Sequence, residues 1–353
     1  MYIMPMSARP PLDDASPAQR AAMARARAAW RLAGVMDDLF LPDDARLDER
    51  TRLALAGRLH ETVGAIETEL RRQSARLLAA RGASAQAEAL LTAPSGRAAE
   101  RLAVAGLLRD EALIGEMVAQ VRYALLAEAL PAAAGGSDEA SLLVRLAAVP
   151  DRVVAAAAQA LLVADSKGDA LLPADMQHRL VWWVAAAIRP TAPDPDADRA
   201  IAEAATRSLG AHDEGARGEA VAARLASAID ARQEETAPLL LEALGDRRLS
   251  LFTAVLARIV GLDFEQARAL VLEPDGERLW LALRAAQLDR PTIARIALTL
   301  SDADPQRDIE AFADQLDRIA AVEPAEARLA LAPETLGRDF RAAIAALGRS
   351  DRR

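Results

Sequence analysis

Apolar residues recur at helical spacing along residues 237–300, and turn-forming residues interrupt that pattern at regular intervals. The interruptions come about every 12 to 15 residues, close to the mean length of a helix. This stretch therefore predicts five helices with almost no loop between them. Each helix is too short to be stable alone, so each must bury its apolar stripe on its neighbours. The breaks are Gly245–Asp246, Gly261–Asp263, Pro274–Gly276 and Asp289–Pro291.

The longest predicted helix spans Asp48 to Arg81 and is ended by Gly82. Its apolar residues form a narrow seam, a pattern that suits a helical bundle or a coiled-coil-like dimer. Ser16–Pro17 predicts the start of an earlier helix that runs to about Leu39, since proline is favoured at the first helical position. The seam of the long helix is formed by Leu59, Val63, Ile66, Leu70 and Leu77.

Consecutive helix breakers at Pro131–Ser137 mark the best candidate boundary between domains. We therefore expect a flexible leader at residues 1–15, a helical-bundle domain at 16–133 and a HEAT-like helical-repeat domain at 137–353. In the last region, helix pairs follow one another about every 30 to 45 residues, within the range of helical solenoids. The predicted fold class is all-α, with an N-terminal bundle followed by an irregular α-solenoid.

Composition supports this class and limits the possible partners. Hydrophobic residues make up 52% of the chain and aromatic residues only 3%, so strong aliphatic helix formers dominate. A net charge of −9 argues against nucleic acid as a partner, because no basic excess is available for phosphates. The absence of cysteine excludes disulfides and thiolate metal sites. We see no secretory signal and no apolar run of the ~18 residues that a membrane span needs, and so expect a cytoplasmic protein.

Residues 239–290, LLLEALGDRRLSLFTAVLARIVGLDFEQARALVLEPDGERLWLALRAAQLDR, resemble the bacterial family of unknown function DUF2336. The likeness rests on a leucine-rich helix, a Gly-Asp turn, a helix ending in Gly261-Leu262, and the Pro274–Glu277 break before an alanine-rich helix. It covers roughly residues 140 to 350. The resemblance implies a helical, HEAT-like bacterial protein with no assigned activity, and it supplies no catalytic residue.

The three histidines lie far apart, and no metalloprotease, serine-hydrolase or nucleotide-binding spacing surrounds any of them. A metal site would require distant carboxylates to converge on one histidine. We therefore expect no metal, no cofactor and no catalytic residue. Aspartates at the breaks of the central stretch are expected to cap helices rather than form an acidic site.

His60 is the one candidate for chemistry, as a speculative phosphoacceptor followed directly by Glu61. It lies at the flank of the apolar seam, with Gly57 and Gly64 one turn to either side, so its ring can face solvent. An exposed imidazole on a helical bundle is typical of histidine phosphotransfer domains, because it can attack a phosphoryl group near neutral pH. An ordinary surface histidine is the alternative.

Two further groups are candidates for an interaction surface. Trp182 and Trp183 point about 100° apart on one predicted helix, so we expect one in the core and the other at an inter-repeat or partner surface. Arg71, Arg72 and Arg76 form a basic cluster towards the end of the long helix, where they favourably meet the helix dipole.

These patterns predict a non-enzymatic scaffold or adaptor that presents a stacked-helix surface to another protein, in bacterial regulation or signalling. Two alternatives stay open. One is a histidine phosphotransfer protein that uses His60. The other is a self-associating structural protein, in which the N-terminal bundle forms a homodimer through the seam of the long helix.

Overall fold

The computed structural model describes residues 46–131, 140–167 and 171–337, together with residues 340, 341, 343, 344 and 347. Within these residues the chain is all-α, as predicted: sixteen α-helices are joined by short turns, and no strand occurs. The predicted leader at residues 1–15 and the predicted helix Ser16–Leu39 lie outside the described residues, as does most of the predicted boundary at Pro131–Ser137.

The helices begin and end close to the predicted breaks. In chain order they are α1 (Glu49–Ala80), α2 (Ser84–Thr92), α3 (Arg97–Val104), α4 (Glu111–Ala129), α5 (Leu142–Ala147), α6 (Arg152–Lys167), α7 (Ala174–Ile188), α8 (Pro195–Gly210), α9 (Gly218–Ile229), α10 (Gln233–Gly245), α11 (Leu249–Val260), α12 (Phe264–Val271), α13 (Glu277–Ala285), α14 (Arg290–Ala303), α15 (Ile309–Ala321) and α16 (Pro324–Ala330). The five helices predicted for residues 237–300 are therefore confirmed as α10 to α14. The sequence reading missed α16, which is only seven residues long.

Helix α1 begins at a side-chain cap: the Asp48 carboxylate accepts a hydrogen bond from the backbone nitrogen of Thr51 at 2.8 Å. It ends at Ala80; Arg81 follows as the C-terminal cap, and then Gly82 with a φ of +80°. Val63 and Leu70, from the predicted seam, are fully buried. They pack inside the chain because α1 lies against α2, α7 and α8. Three of the five seam residues, Val63, Ile66 and Leu70, are therefore buried within the chain, while Leu59 and Leu77 are half-buried. A homodimer through the N-terminal bundle stays a prediction.

The chain divides into two compact units, each built from two separate segments. The first comprises Met1–Val121 and Ala174–His212, and the second comprises Arg122–Pro173 and Asp213–Arg353. These divisions differ from the predicted domains 16–133 and 137–353, because α7 and α8 pack with α1 in the first unit. That pairing of distant helices leaves no local mark in the sequence.

The second unit has one continuous aliphatic core. Helix α11 is buried almost all round, from Leu249 to Ala257, and it packs against α9, α10 and α12. An all-round apolar helix is expected at the centre of a helical stack. No helix in the described part of the chain is both long and apolar enough to cross a lipid bilayer.

Candidate functional site

His60 lies on the solvent side of α1. Both His60 and the following Glu61 are exposed, which agrees with the predicted position of the imidazole. Gly57 and Gly64 flank it on the same helix, and a Cβ atom built on either one would have no neighbour within 4 Å among the residues that the structure describes. A large partner molecule can therefore approach the ring without meeting a side chain from these two positions.

The turn before α3 brings backbone against the His60 ring. The Cε1 atom of His60 lies 3.5 Å from the position that a Cβ atom would take on Gly96, which precedes α3 with a φ of +83°. Two side chains of α1 hold this turn. The Glu67 carboxylate accepts a hydrogen bond from Gly96 N at 3.1 Å, and Arg71 Nη1 donates to the carbonyl of Ala93 at 2.7 Å.

Glu67 and Arg71 also form an ion pair with each other at 2.5 Å. They are only 1% and 6% exposed. The prediction that Arg71 belongs to an interaction surface is therefore wrong, because its guanidinium is turned inward to a carboxylate and two backbone carbonyls. Arg72, which pairs with Glu69, and Arg76 are exposed, so only these two of the predicted basic cluster lie at the surface.

A second candidate surface lies on α7 and is formed by His178, Arg179, Trp182 and Trp183; we refer to it as the α7 aromatic surface. Trp182 is 37% exposed, and its Nε1 donates a hydrogen bond to Nε2 of His178 at 3.3 Å. The two rings meet edge to face, with centroids 6.4 Å apart. Trp183 is half-buried beneath the guanidinium of Arg179, whose Cζ lies 5.9 Å from the ring centroid.

Tertiary contacts fix the direction in which this surface faces. Leu180, Val181 and Val184 are fully buried on the inner side of α7. Arg179 is held in place by Asp110, whose carboxylate accepts its hydrogen bond at 2.8 Å. The expectation that one of the two tryptophans lies in the core is not met, because Trp183 is only half-buried and Trp182 is exposed.

The aspartates at the breaks of the central stretch divide into two kinds. Asp263 and Asp289 cap α12 and α14, as predicted, by accepting hydrogen bonds from backbone nitrogens at 2.7 and 3.0 Å. Asp246 instead accepts a hydrogen bond from the backbone nitrogen of Leu142. The side chain of Asp275 makes no cap, because Gly276 occupies the capping position of α13.

Sequence reasoning missed a buried group of charges in the second unit. Arg217 is 7% exposed, and its guanidinium lies 2.8 Å from the carboxylate of Glu214 and 3.3 Å from that of Glu219. Arg268, 4% exposed, reaches Glu219 from α12 at 3.1 Å. Each guanidinium is matched by a carboxylate, so the group joins α9 to α12. Nothing in the local pattern distinguishes these arginines from surface ones.

Tyr123 is a further buried polar group of the second unit. Its hydroxyl lies 2.7 Å from Oγ1 of Thr253. Burial raises the pKa of the Tyr123 phenol, because the charged form would lose its hydration. The phenol therefore stays protonated near neutral pH and acts as a hydrogen-bonding group. Among the described residues, no group of three or more histidine, aspartate and glutamate side chains is placed to hold a metal ion.

The two candidate surfaces are the one around His60 on α1 and the α7 aromatic surface. Both lie on helices of an all-α protein. The chain belongs to the family DUF2336, described as an uncharacterised protein conserved in bacteria, whose model matches residues 151–332. The match includes Trp182 and Trp183 but not His60. It confirms the resemblance of residues 239–290. Neither a curated protein nor a solved structure shows significant similarity to the chain.

Proposed function

We propose that this chain is a non-enzymatic cytoplasmic scaffold that binds another protein through the α7 aromatic surface, in bacterial regulation or signalling. The observation that carries the proposal is the exposure of Trp182, one of four tryptophans in the chain. Tryptophan is enriched where the binding energy of protein interfaces concentrates, because its ring buries a large apolar area when a partner covers it. Asp110 holds the guanidinium of Arg179 over the neighbouring indole of Trp183, so this part of the surface is positioned by contacts within the chain.

A HEAT-like stacking of the second unit is part of this proposal. It is supported by the packing of α10 on α11 and of α11 on α12, each formed by helices adjacent in sequence. Stacks of this kind expose large surfaces and need no reactive group.

The test compares two exposed positions of the first unit. Trp182→Ser should weaken capture of the main binding protein from a native lysate by about tenfold or more, as expected for a hot-spot tryptophan. Leu91→Ser is the matched control, because Leu91 is 60% exposed on α2 and lies outside the α7 aromatic surface. Equal capture by wild type and Trp182→Ser would remove the proposal.

A second candidate function is histidine phosphotransfer through His60. The specific observation in its favour is the exposure of the His60 imidazole, with glycines at positions 57 and 64 on the same helix. In the reaction, the lone pair of an imidazole nitrogen attacks the phosphorus of a phosphoryl donor. With phosphoramidate as donor, the new N–P bond forms as the donor P–N bond breaks, and ammonia leaves with that electron pair.

The phosphotransfer candidate is tested with radiolabelled phosphoramidate. Wild type should acquire acid-labile, base-stable phosphate, and His60→Ala should lose it. His178→Ala is the control, because His178 is also an exposed helix histidine but sits under Trp182. The candidate is rejected by an unlabelled wild type, or by equal labelling of wild type and His60→Ala.

A further inference from the structure

The hydrogen bond between Trp182 and His178 requires an uncharged imidazole. The indole Nε1 of Trp182 can only donate, so Nε2 of His178, 3.3 Å away, must supply a lone pair. The proton of the neutral ring is then on Nδ1. An imidazolium carries a proton on both nitrogens and has no lone pair left to accept with. Protonation of His178 therefore turns the acceptor into a second donor and breaks the bond.

The imidazole of His178 is in contact with solvent and can exchange protons with it. Two carboxylates and one guanidinium lie near it. Asp175 on α7 lies 3.9 Å from the guanidinium of Arg179, and Asp110, from the turn before α4, holds the same guanidinium at 2.8 Å. Carboxylates and guanidinium groups ordinarily keep their charge between pH 5 and 8, the range in which an imidazole gains its proton.

The other helices packed against α7 place their charges away from His178. Arg101 of α3 donates to a backbone carbonyl near the C-terminal end of α7, and Asp198 of α8 pairs with an arginine just after that end. Both contacts lie at least nine residues beyond His178, which is about 13 Å along a helix. The buried charges of α1, Glu67 and Arg71, are paired with each other at 2.5 Å. Between pH 5 and 8 the change of charge beside Trp182 is therefore that of His178.

The position of Trp182 depends on this bond, because its ring is 37% exposed and stands at the edge of the His178 ring. A side chain that is already held in one conformation loses less freedom when a partner binds. We propose that protonation of His178 releases Trp182 and so weakens partner binding by the α7 aromatic surface as the pH falls from 8 to 5. The binding step rests on the proposed function, whereas the release of Trp182 is a property of the chain alone. Loss of one hydrogen bond corresponds to a change of about two- to tenfold in affinity.

The release of Trp182 is tested by NMR on the full chain with isotope-labelled tryptophan. The chain has four tryptophans, and Trp182→Phe identifies which indole N–H resonance belongs to Trp182. From pH 8 to pH 5 this resonance should move upfield and its proton should exchange faster with water, because the hydrogen bond is lost. Trp280 is the internal reference, since its Nε1 donates at 3.3 Å to the carbonyl of Asp275, which does not titrate.

His178→Gln is the variant that tests the role of the imidazole, because a glutamine oxygen can accept the indole hydrogen bond and does not titrate. Its Trp182 resonance should stay unchanged over the same pH range. His60→Gln is the matched control: His60 is also an exposed helix histidine, and its loss should leave the wild-type shift in place. A wild type without the shift, or the same shift in His178→Gln, would overturn the proposal.

The binding step is measured on the main protein captured from a native lysate at about pH 7.5 and then washed at about pH 7.5 or about pH 5.5. Retention by wild type should fall by about two- to tenfold at the lower pH, and retention by His178→Gln should fall less. Equal retention by the two chains at both pH values overturns the regulatory role even where the NMR shift is present. If Trp182→Ser leaves capture unchanged, the proposed function fails and the binding step with it, whereas the release of Trp182 is judged by the NMR shift alone.

Discussion

Gly276 precedes α13 with a φ of +67° and lies directly against the indole of Trp280. A Cβ atom built on Gly276 would be 2.5 Å from Cζ2 of that ring. The ring cannot easily move away, because Trp280 is 5% exposed and packs against the tilted ring of Phe312, with centroids 4.6 Å apart. At this position glycine is needed both for its backbone angle and for its lack of a side chain.

We expect Gly276→Ala to lower the free energy of unfolding by about 2 to 4 kcal/mol, from backbone strain plus overpacking. Gly261→Ala is the matched control. Gly261 also has a positive φ, +74°, but a Cβ atom there would meet nothing within 4 Å. The control should lose only about 1 to 2 kcal/mol. Urea unfolding followed by circular dichroism measures both, and equal losses would contradict the role given to Trp280.

The Glu67–Arg71 pair leads to a second prediction at this scale. Glu67→Gln leaves the buried guanidinium of Arg71 without its counter-charge, so the free energy of unfolding should fall by about 3 to 5 kcal/mol. Glu69→Gln, on the same helix, breaks the exposed pair with Arg72 and should change stability by less than about 1 kcal/mol. Urea unfolding followed by circular dichroism separates the two variants. Similar losses would mean that the burial of Glu67 has no energetic consequence.

At the scale of the elements, short helices depend on how their first turns are capped. Helix α12 begins with a reciprocal pair, in which Asp263 and Gln266 each accept a hydrogen bond from the other's backbone nitrogen at 2.7 Å. Helix α13 begins at Glu277, and the preceding Gly276 provides no side-chain cap. Aspartates that precede helices at similar positions in the sequence therefore differ in how much they stabilise the helix that follows.

Asp263→Ala should cost about 0.5 to 2 kcal/mol of stability, the range for loss of a capping carboxylate. Asp275→Ala should cost less than about 0.5 kcal/mol, since an exposed side chain with no capping role is removed. Urea midpoints of the two variants give the comparison. If Asp275→Ala lost more stability than Asp263→Ala, the observed capping hydrogen bonds would not explain what these aspartates contribute to stability.

Asp289 makes helix stability depend on pH. The side-chain hydrogen bond from Thr292, and then the backbone bond, hold the pKa of Asp289 below its ordinary value. The charged form is therefore favoured in the folded state. The charged carboxylate of Asp289 adds its full contribution to the free energy of unfolding above the unfolded-state pKa of about 3.9. That contribution is lost as the pH falls through the lower pKa of the folded state. Asp289→Asn keeps a cap that does not titrate, so its urea midpoint should fall less than that of wild type below about pH 4. If the urea midpoints of wild type and Asp289→Asn fell equally as the pH was lowered, this role of the Asp289 carboxylate would be refuted.

At the scale of the whole molecule, the family match and the compact units do not coincide. Residues 151–332 include α7 and α8. In the first unit these helices pack against α1, which lies outside the match. Helix α7 also packs against α3, which the family model does not include either.

A fragment of residues 151–332 should therefore expose apolar surface that residues 46–337 cover. We expect it to bind a hydrophobic dye more strongly and to give poorly dispersed amide resonances, whereas the longer fragment gives a well-dispersed spectrum. The comparison uses the same dye and protein concentrations. A 151–332 fragment that unfolds cooperatively with no added dye binding would mean that α7 and α8 do not need α1.

Helix boundaries were largely predictable, because caps, glycines and apolar spacing act within a few residues of one another. Asp48 and Gly82 frame α1 in this way, and the breaks of the central stretch frame α10 to α14. The exposure of His60 followed from its angle relative to the seam. The inward turn of Arg71 did not follow, because its partners Ala93 and Pro94 lie more than twenty residues away.

Local sequence alone determined that this protein is all-α and where most of its helices begin and end, since helical periodicity and capping are short-range effects. Only the tertiary structure decided which helices pair, that most of the seam of α1 faces inward, and which charged residues are buried. Those outcomes arise from contacts between segments far apart in the chain. The apolar pattern requires that each stripe be buried, but many partners would satisfy it equally well.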